Sequence, residues 1–174
     1  IPCIDLYMDQ ITTLFDDKLG DTKRNPSDKI LTKTMVNNYT KAKALMPPKN
    51  KKYTKNHIIL LSLIYNLKQI LSINDVKMLF SPLFNGMDAS KGTLVRDLEE
   101  IYSSYLTIKE DALNSLRQDF LDMFDHAENM SSSTKADADN KETLILLVLM
   151  LTTQAAINKR LAEKIIDEFF IANK

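Results

Sequence analysis

The sequence predicts a mainly α-helical chain, with a winged helix-turn-helix over residues 1–85 and a helical bundle over residues 86–174. Three observations carry this. The segments follow helical periods, and no run alternates apolar and polar residues as a half-buried strand does. The 174 residues include only three glycines and five prolines, and these punctuate the chain at a few breaks. Finally, "KILTKTMVNNYTKAKALMPPKNKKYTK" (29–55) holds eight lysines and no acid in a stretch broken by Pro47-Pro48.

The elements follow in order. "GDTKRNP", from Gly20 to Pro26, ends a first helical segment. Thr32 is a suitable N-cap for "KTMVNNYTKAKAL", and Thr54 for a helix carrying Ile58, Leu61, Ile64, Leu67 and Leu71 on one face. Ser72 with Asp75 forms an S-x-x-D start for the short helix "INDVKMLF". "SPLFNGMDASKG" (81–92) gathers Pro82, Gly86 and Gly92 and marks the boundary between halves. Beyond it Leu94, Leu98, Ile101, Tyr105, Ile108 and Ala112 recur at helical spacing as a narrow seam. Thr107 with Glu110 repeats the capping pattern and predicts a break near residue 107. "NMSSSTKADADNK" (129–141) has almost nothing to bury and reads as an exposed loop. "TLILLVLMLTTQAAI" is apolar on every side, which predicts the middle of a bundle. "KRLAEKIIDEFF" ends the chain with Leu161, Ile165, Ile166, Phe169 and Phe170 inward.

Lys plus Arg and Asp plus Glu are both 23, so any nucleic-acid argument rests on where charge lies. The basic block is flanked by acidic segments: six aspartates in residues 1–28, and ten acids between Asp88 and Glu128. Cys3 is the only cysteine, which excludes an intrachain disulfide and favours the cytoplasm. The N-terminus "IPCIDLYMDQ" has no basic leader region, and the run "LILLVLML" with its extension to Ile157 is broken by Thr152, Thr153 and Gln154. A soluble protein without a membrane span is therefore expected. The chain begins at Ile1 without a methionine, and a few preceding residues are expected.

The order helix, short Lys- and Asn-bearing helix, Pro-Pro turn with a basic tip, long helix and short helix suits a winged helix-turn-helix. The short helix is then the one for the major groove of double-stranded DNA, with Asn37 or Asn38 paired to adenine N6 and N7. Lys33, Lys41, Lys43, Lys49, Lys51 and Lys52 complete the DNA-binding set as phosphate contacts. Because one such domain reads few base pairs, a homodimer is expected. Leu94, Leu98, Ile101, Tyr105 and Ile108 are one candidate dimerisation seam, with an intramolecular role as its competitor; the apolar helix from Leu144 to Ile157 is the other candidate surface, but it is expected rather to fill each chain's own core.

From Met35 to Leu79 the pattern "MVNNYTKAKALMPP…KKYTKNHIILLSLIYNLKQILSINDVKMLF" resembles the DNA-binding domain of the mercury-resistance-regulator (MerR) family. Tyr39, Leu45, Pro47, Tyr53, Ile58, Leu61, Ile64, Leu67, Ser72, Ile73 and Val76 stand at matching places. The resemblance implies a MerR-like helix-turn-helix and a dimeric transcription regulator. Two departures are visible: Asn37 stands where that family has an arginine, and only "PKNKK" leads to Tyr53 where its wing is longer. Over the whole length, "PCIDLYMDQITTLF", "LTKTMVNNYTKAKALMPPKNKKYTK" and the closing helices resemble an uncharacterised bacterial domain-of-unknown-function family. That likeness implies one architecture and no established activity.

Other chemistry has little to stand on. The sequence has no glycine-rich phosphate loop, no G-x-S-x-G and no H-E-x-x-H, so no enzyme and no cofactor are expected. Asp122 and His126 share a helix face, yet a carboxylate-bridged metal centre needs paired Glu-x-x-His motifs that are missing, so no metal is expected. His57, at a helix start, reads as structural. Two functions stay open: a cytoplasmic DNA-binding regulator with an unidentified effector, and a helical protein-interaction module that has lost DNA contact. The short wing and zero net charge favour the second; the acid-free block and the asparagines favour the first.

Overall fold

A computed structural model describes residues 1–2, 4–84, 98–130 and 141–170. The chain is mainly α-helical: β1 (Leu6–Tyr7), α1 (Met8–Leu19), a 3-10 turn (Gly20–Thr22), α2 (Lys33–Lys41), β2 (Lys52–Tyr53), α3 (Lys55–Leu67), α4 (Ile73–Phe84), α5 (Leu98–Met130) and α6 (Lys141–Phe169). It divides into two compact units, one of residues 1–102 with 165–174 and one of residues 103–164. Cys3, Gly86, Gly92 and Leu94 lie outside the described residues, as do residues 131–140 of the expected exposed loop.

The first unit is built around α3. Its residues 57–61, 63 and 64 are buried, a wider surface than the single face that the sequence predicts, so neighbours are needed on nearly every side. Leu6, Ile11 and Phe15 come from β1 and α1, Val36 and Tyr39 from α2, and Val76, Phe80 and Leu83 from α4, all buried in the same unit together with Leu98 and Ile166. Two long-range bonds tie the loop before α2 to the end of α3. The Lys68 ammonium donates to the Ile30 carbonyl at 2.6 Å, and the Tyr65 and Thr22 hydroxyls lie 2.8 Å apart. Burial pushes the Lys68 pKa below its ordinary value.

The helix starts follow the capping chemistry of the sequence. Thr32 Oγ1 accepts from the Met35 N–H at 3.1 Å. Ser72 and Asp75 exchange bonds, Ser72 N–H to the carboxylate at 2.9 Å and Asp75 N–H to the hydroxyl at 3.3 Å. At α3 the N3 residue is a histidine. His57 Nδ1 accepts from the Thr54 N–H at 3.1 Å, so Nδ1 carries no proton and the Thr54 hydroxyl, 2.9 Å away, must donate to it as well. Nε2–H then donates to the Pro47 carbonyl at 3.3 Å, and the ring packs edge-on against Tyr53 with centroids 5.4 Å apart.

Three expectations are corrected. The fourth helix does not stop at Phe80 but runs through Pro82 to Phe84. Pro82 has no N–H for the Met78 carbonyl, and the Ser81 hydroxyl donates to that carbonyl instead at 2.8 Å. The predicted break near residue 107 is absent, because the Thr107 hydroxyl turns back to the Ser103 carbonyl at 3.3 Å and caps nothing. The apolar helix α6 does not fill a core of its own chain: Leu144, Ile145, Val148, Leu149 and Ile157 are exposed, and of the five terminal residues expected inward only Ile166 is buried. All-round apolarity demands neighbours, and the described residues of its own unit do not supply them. By length and composition α6 would also cross a membrane, with almost none of that stretch buried.

The His57 arrangement needs the neutral ring. Burial lowers its pKa below 6.5, more strongly than the Pro47 carbonyl, the Asp5 charge and the Met46 carbonyl raise it. Between the folded value and about 6.5 the unfolded chain binds the extra proton, so stability rises with pH across that window. The contribution is complete above about 6.5 and is lost as pH falls toward the folded value. His57→Ala should cost about 1–2 kcal/mol at pH 7.5. Urea melts from pH 7.5 to 5 should then be flatter in the variant than in the wild type.

Candidate nucleic-acid interface

The geometry of α2 follows from its two buried side chains. Val36 and Tyr39 face the core, and burial pushes the Tyr39 phenol pKa up. At 100° per residue, this phase turns Lys33, Thr34, Asn37, Asn38 and Lys41 into one exposed arc on the opposite side. The side chains of Asn37, Asn38 and Lys41 have no hydrogen-bond or ionic partner among the described residues. Lys33 is different, since its ammonium lies 2.5 Å from the Asp9 carboxylate of α1. Exposed pairs of this kind hold weakly. Thr34 was not singled out in the sequence; only the burial of Val36 and Tyr39 fixes the phase that adds it to the arc.

The chain leaves α2 through a complete Schellman motif. The Lys43 N–H donates to the Thr40 carbonyl and the Ala44 N–H to the Tyr39 carbonyl, both at 3.0 Å. This closure needs a left-handed residue, normally glycine, and here it is Lys43 at φ 62°. Ala44, Leu45 and Met46 then drop into the core, which anchors the reversal.

A tight hairpin follows. Lys49 and Lys52 exchange backbone bonds at 3.1 and 2.9 Å around Asn50 and Lys51, whose φ values of 51° and 62° make a type I′ turn. Asparagine suits the first of these positions; glycine is the usual occupant of the second. Tyr53 is buried, with its phenol pKa raised by that burial. Leu6 and Tyr7 of β1 pair antiparallel with Tyr53 and Lys52, extending the hairpin by a strand. The Lys52 ammonium sits 5.5 Å from the Tyr7 ring centroid, a cation–π distance. Lys49 and Lys51 are exposed at the tip, with no acidic partner among the described residues. At the foot of the hairpin, Lys55 pairs with Glu99.

All non-glycine residues with positive φ among the described residues are therefore Lys43, Asn50 and Lys51, and all three fall in the acid-free block. The residues expected to bind DNA thus lie on an α2 arc (Lys33, Asn37, Asn38, Lys41), at a helix exit (Lys43) and on a hairpin (Lys49, Lys51, Lys52). Of the expected dimerisation seam, Leu98 is buried within the first unit, Tyr105 is half-buried, and Ile101 and Ile108 are exposed. Among the described residues no three His, Cys, Asp or Glu side chains converge as metal ligands. Asp122 accepts from the Gln118 amide at 2.8 Å, and His126 lines an open groove of about 450 Å³ with Met123, Met130 and Met150.

The left-handed lysines give a stability test. Lys43→Gly and Lys51→Gly each relieve the steric penalty of a side chain at positive φ, against a larger entropy of the unfolded chain. Each should raise stability by about 0.5–1 kcal/mol in chemical denaturation, whereas Lys43→Ala, which keeps a Cβ, should not.

Residues 1–105, more than half of the chain, match the family described as Domain of unknown function (DUF1836). The chain belongs to that family. No curated protein and no solved structure matches it.

Proposed function

We propose that this member of the DUF1836 family is a DNA-binding regulator, whose first unit is a MerR-like winged helix-turn-helix working in the cytoplasm. One observation carries the reading: lysine occupies two left-handed backbone positions, Lys43 and Lys51, where glycine would be less strained. A cost accepted at a turn points to a function for the side chain, and a cation projected from a turn without a nearby acid suits a phosphate. The α2 arc adds what phosphate contacts lack. Asn37 and Asn38 are exposed amides on a helix with a basic end, the residue type that pairs bidentately with adenine.

In this reading α2 lies in the major groove, with Asn37 and Asn38 toward base edges and Lys41 and Lys43 on phosphates. The hairpin brings Lys49 and Lys51 to the neighbouring backbone. Its two-residue tip is too short for a deep minor-groove contact, so the hairpin acts through charge and α2 carries the sequence preference. The reading of a protein-interaction module without DNA contact rests on that same short hairpin.

Binding of duplex DNA should weaken steeply with salt, and each phosphate-contacting lysine removed from Lys41, Lys43, Lys49 and Lys51 should lower the log-log slope by about 0.9. Asn37→Ala or Asn38→Ala should instead reduce discrimination between a selected site and random sequence by about 1–3 kcal/mol. Fluorescence anisotropy across a salt series measures both. Absence of duplex binding by the wild type at low salt would leave the interaction-module reading in its place.

A further inference from the structure

Residues 103–164 leave uncovered most of the apolar surface that their sequence concentrates. Among the described residues of this unit only Ala127, Thr143 and Leu147 are buried, and two helices with so little burial are not held by helix propensity alone. α6 carries two apolar seams. Thr143 and Leu147 belong to the buried one, and Met150 continues it along the groove shared with α5. The other runs Leu144, Val148, Leu151, Ala155, Asn158 and Ala162, at spacings of 4, 3, 4, 3 and 4, the repeat with which helices pack knobs into holes. It is exposed up to Asn158 and half-exposed at Ala162.

We propose that this second seam pairs antiparallel with the same seam of a second copy of the chain, about a two-fold axis near Thr153. The seam is bulky in its first half and small in its second. Only the antiparallel arrangement sets large against small along its length. Leu151 then meets Ala155 of the partner subunit, and Leu144 meets Ala162 of the partner subunit. Asn158 falls opposite Val148 of the partner subunit, a single polar residue in an apolar seam, the device that fixes register at some cost in stability.

The three bulky residues of the seam, Leu144, Val148 and Leu151, are all exposed in a single chain, and a second copy of the same seam covers all three at once. A lipid surface fits less well. Although α6 is long enough to span a bilayer, Thr152, Thr153, Gln154 and Asn158 occupy its centre, where polar groups are most costly. The inference stands apart from the DNA reading, because none of its residues lies in the basic block.

Sedimentation equilibrium of the full chain at tens of micromolar should give a dimer. In a Cys3→Ser background, a mixture of Leu151→Cys and Ala155→Cys chains should oxidise to a disulfide-linked heterodimer far faster than either variant alone. Val148→Glu with Leu151→Glu, at positions 58% and 38% exposed in one chain, should weaken dimerisation at least about tenfold while leaving the helix content of the monomer. A monomeric wild type would overturn the proposal, as would a dimer unaffected by the two glutamates, or cross-linking that is no faster in the mixture. A monomer that co-sediments with phosphatidylcholine vesicles would assign the seam to lipid instead.

Discussion

A helix with almost no polar face cannot stand at a surface, and α3 is such a helix. Seven of its thirteen residues are buried, so the chain must wrap it, and the rest of the first unit is a set of solutions to that demand. The loop that leads to α2 is fastened by Lys68 and Tyr65 at the far end of α3. The exit of α2 is fastened by Ala44, Leu45 and Met46, and the hairpin by Tyr53 and His57 at the near end. Burying seven residues of α3, six of them aliphatic, supplies the order of 10 kcal/mol that offsets the ordering of these short connections.

The strained lysines are local exceptions to that economy of packing. Lys43 and Lys51 are exposed, and nothing in the core needs them. A glycine at either site would satisfy the same Schellman closure and the same I′ turn with less steric cost. The backbone therefore accounts for the conformation and not for the residue type. The fold alone does not explain the charges, and an anionic polymer is the partner proposed for them.

Much of the first unit was legible in the sequence because capping and helical periodicity are local. Thr32, Thr54 and the Ser72–Asp75 pair cap where the pattern put them. What was not legible depended on tertiary or atypical local chemistry. The strands β1 and β2 are two residues each, too short to alternate, and exist because residues 6–7 pair with residues 52–53 across the chain. The Schellman exit was masked because its left-handed residue is lysine. The continuation of α4 through Pro82 depended on a hydroxyl one residue earlier that replaces the lost donor. For the candidate site, the sequence found the lysines and asparagines but not the phase of α2, which only the burial of Val36 and Tyr39 determines. For α6, an all-round apolar pattern signals a need for neighbours, but it carries no information on whether they come from the same chain.

The two elements of the candidate interface also share a single mounting. The Pro47 carbonyl, which enters the hairpin, and the Thr54 amide, which leaves it, are bonded to opposite nitrogens of the same buried imidazole. The hairpin is thus closed at its base by His57 and at its tip by the I′ turn, and its preceding residues, Ala44 to Met46, are the buried exit of α2. So short and doubly tied a path from Lys41 to Lys52 leaves little conformational freedom to lose, a preorganisation that would favour affinity for the polyanion proposed as partner. Protonation of His57 would break the tie at Thr54, because Nδ1 would turn from acceptor to donor against the Thr54 N–H, and would leave Nε2–H on the Pro47 carbonyl as the base's remaining bond. The neutral ring is therefore as much a part of the candidate interface as the lysines it holds in place.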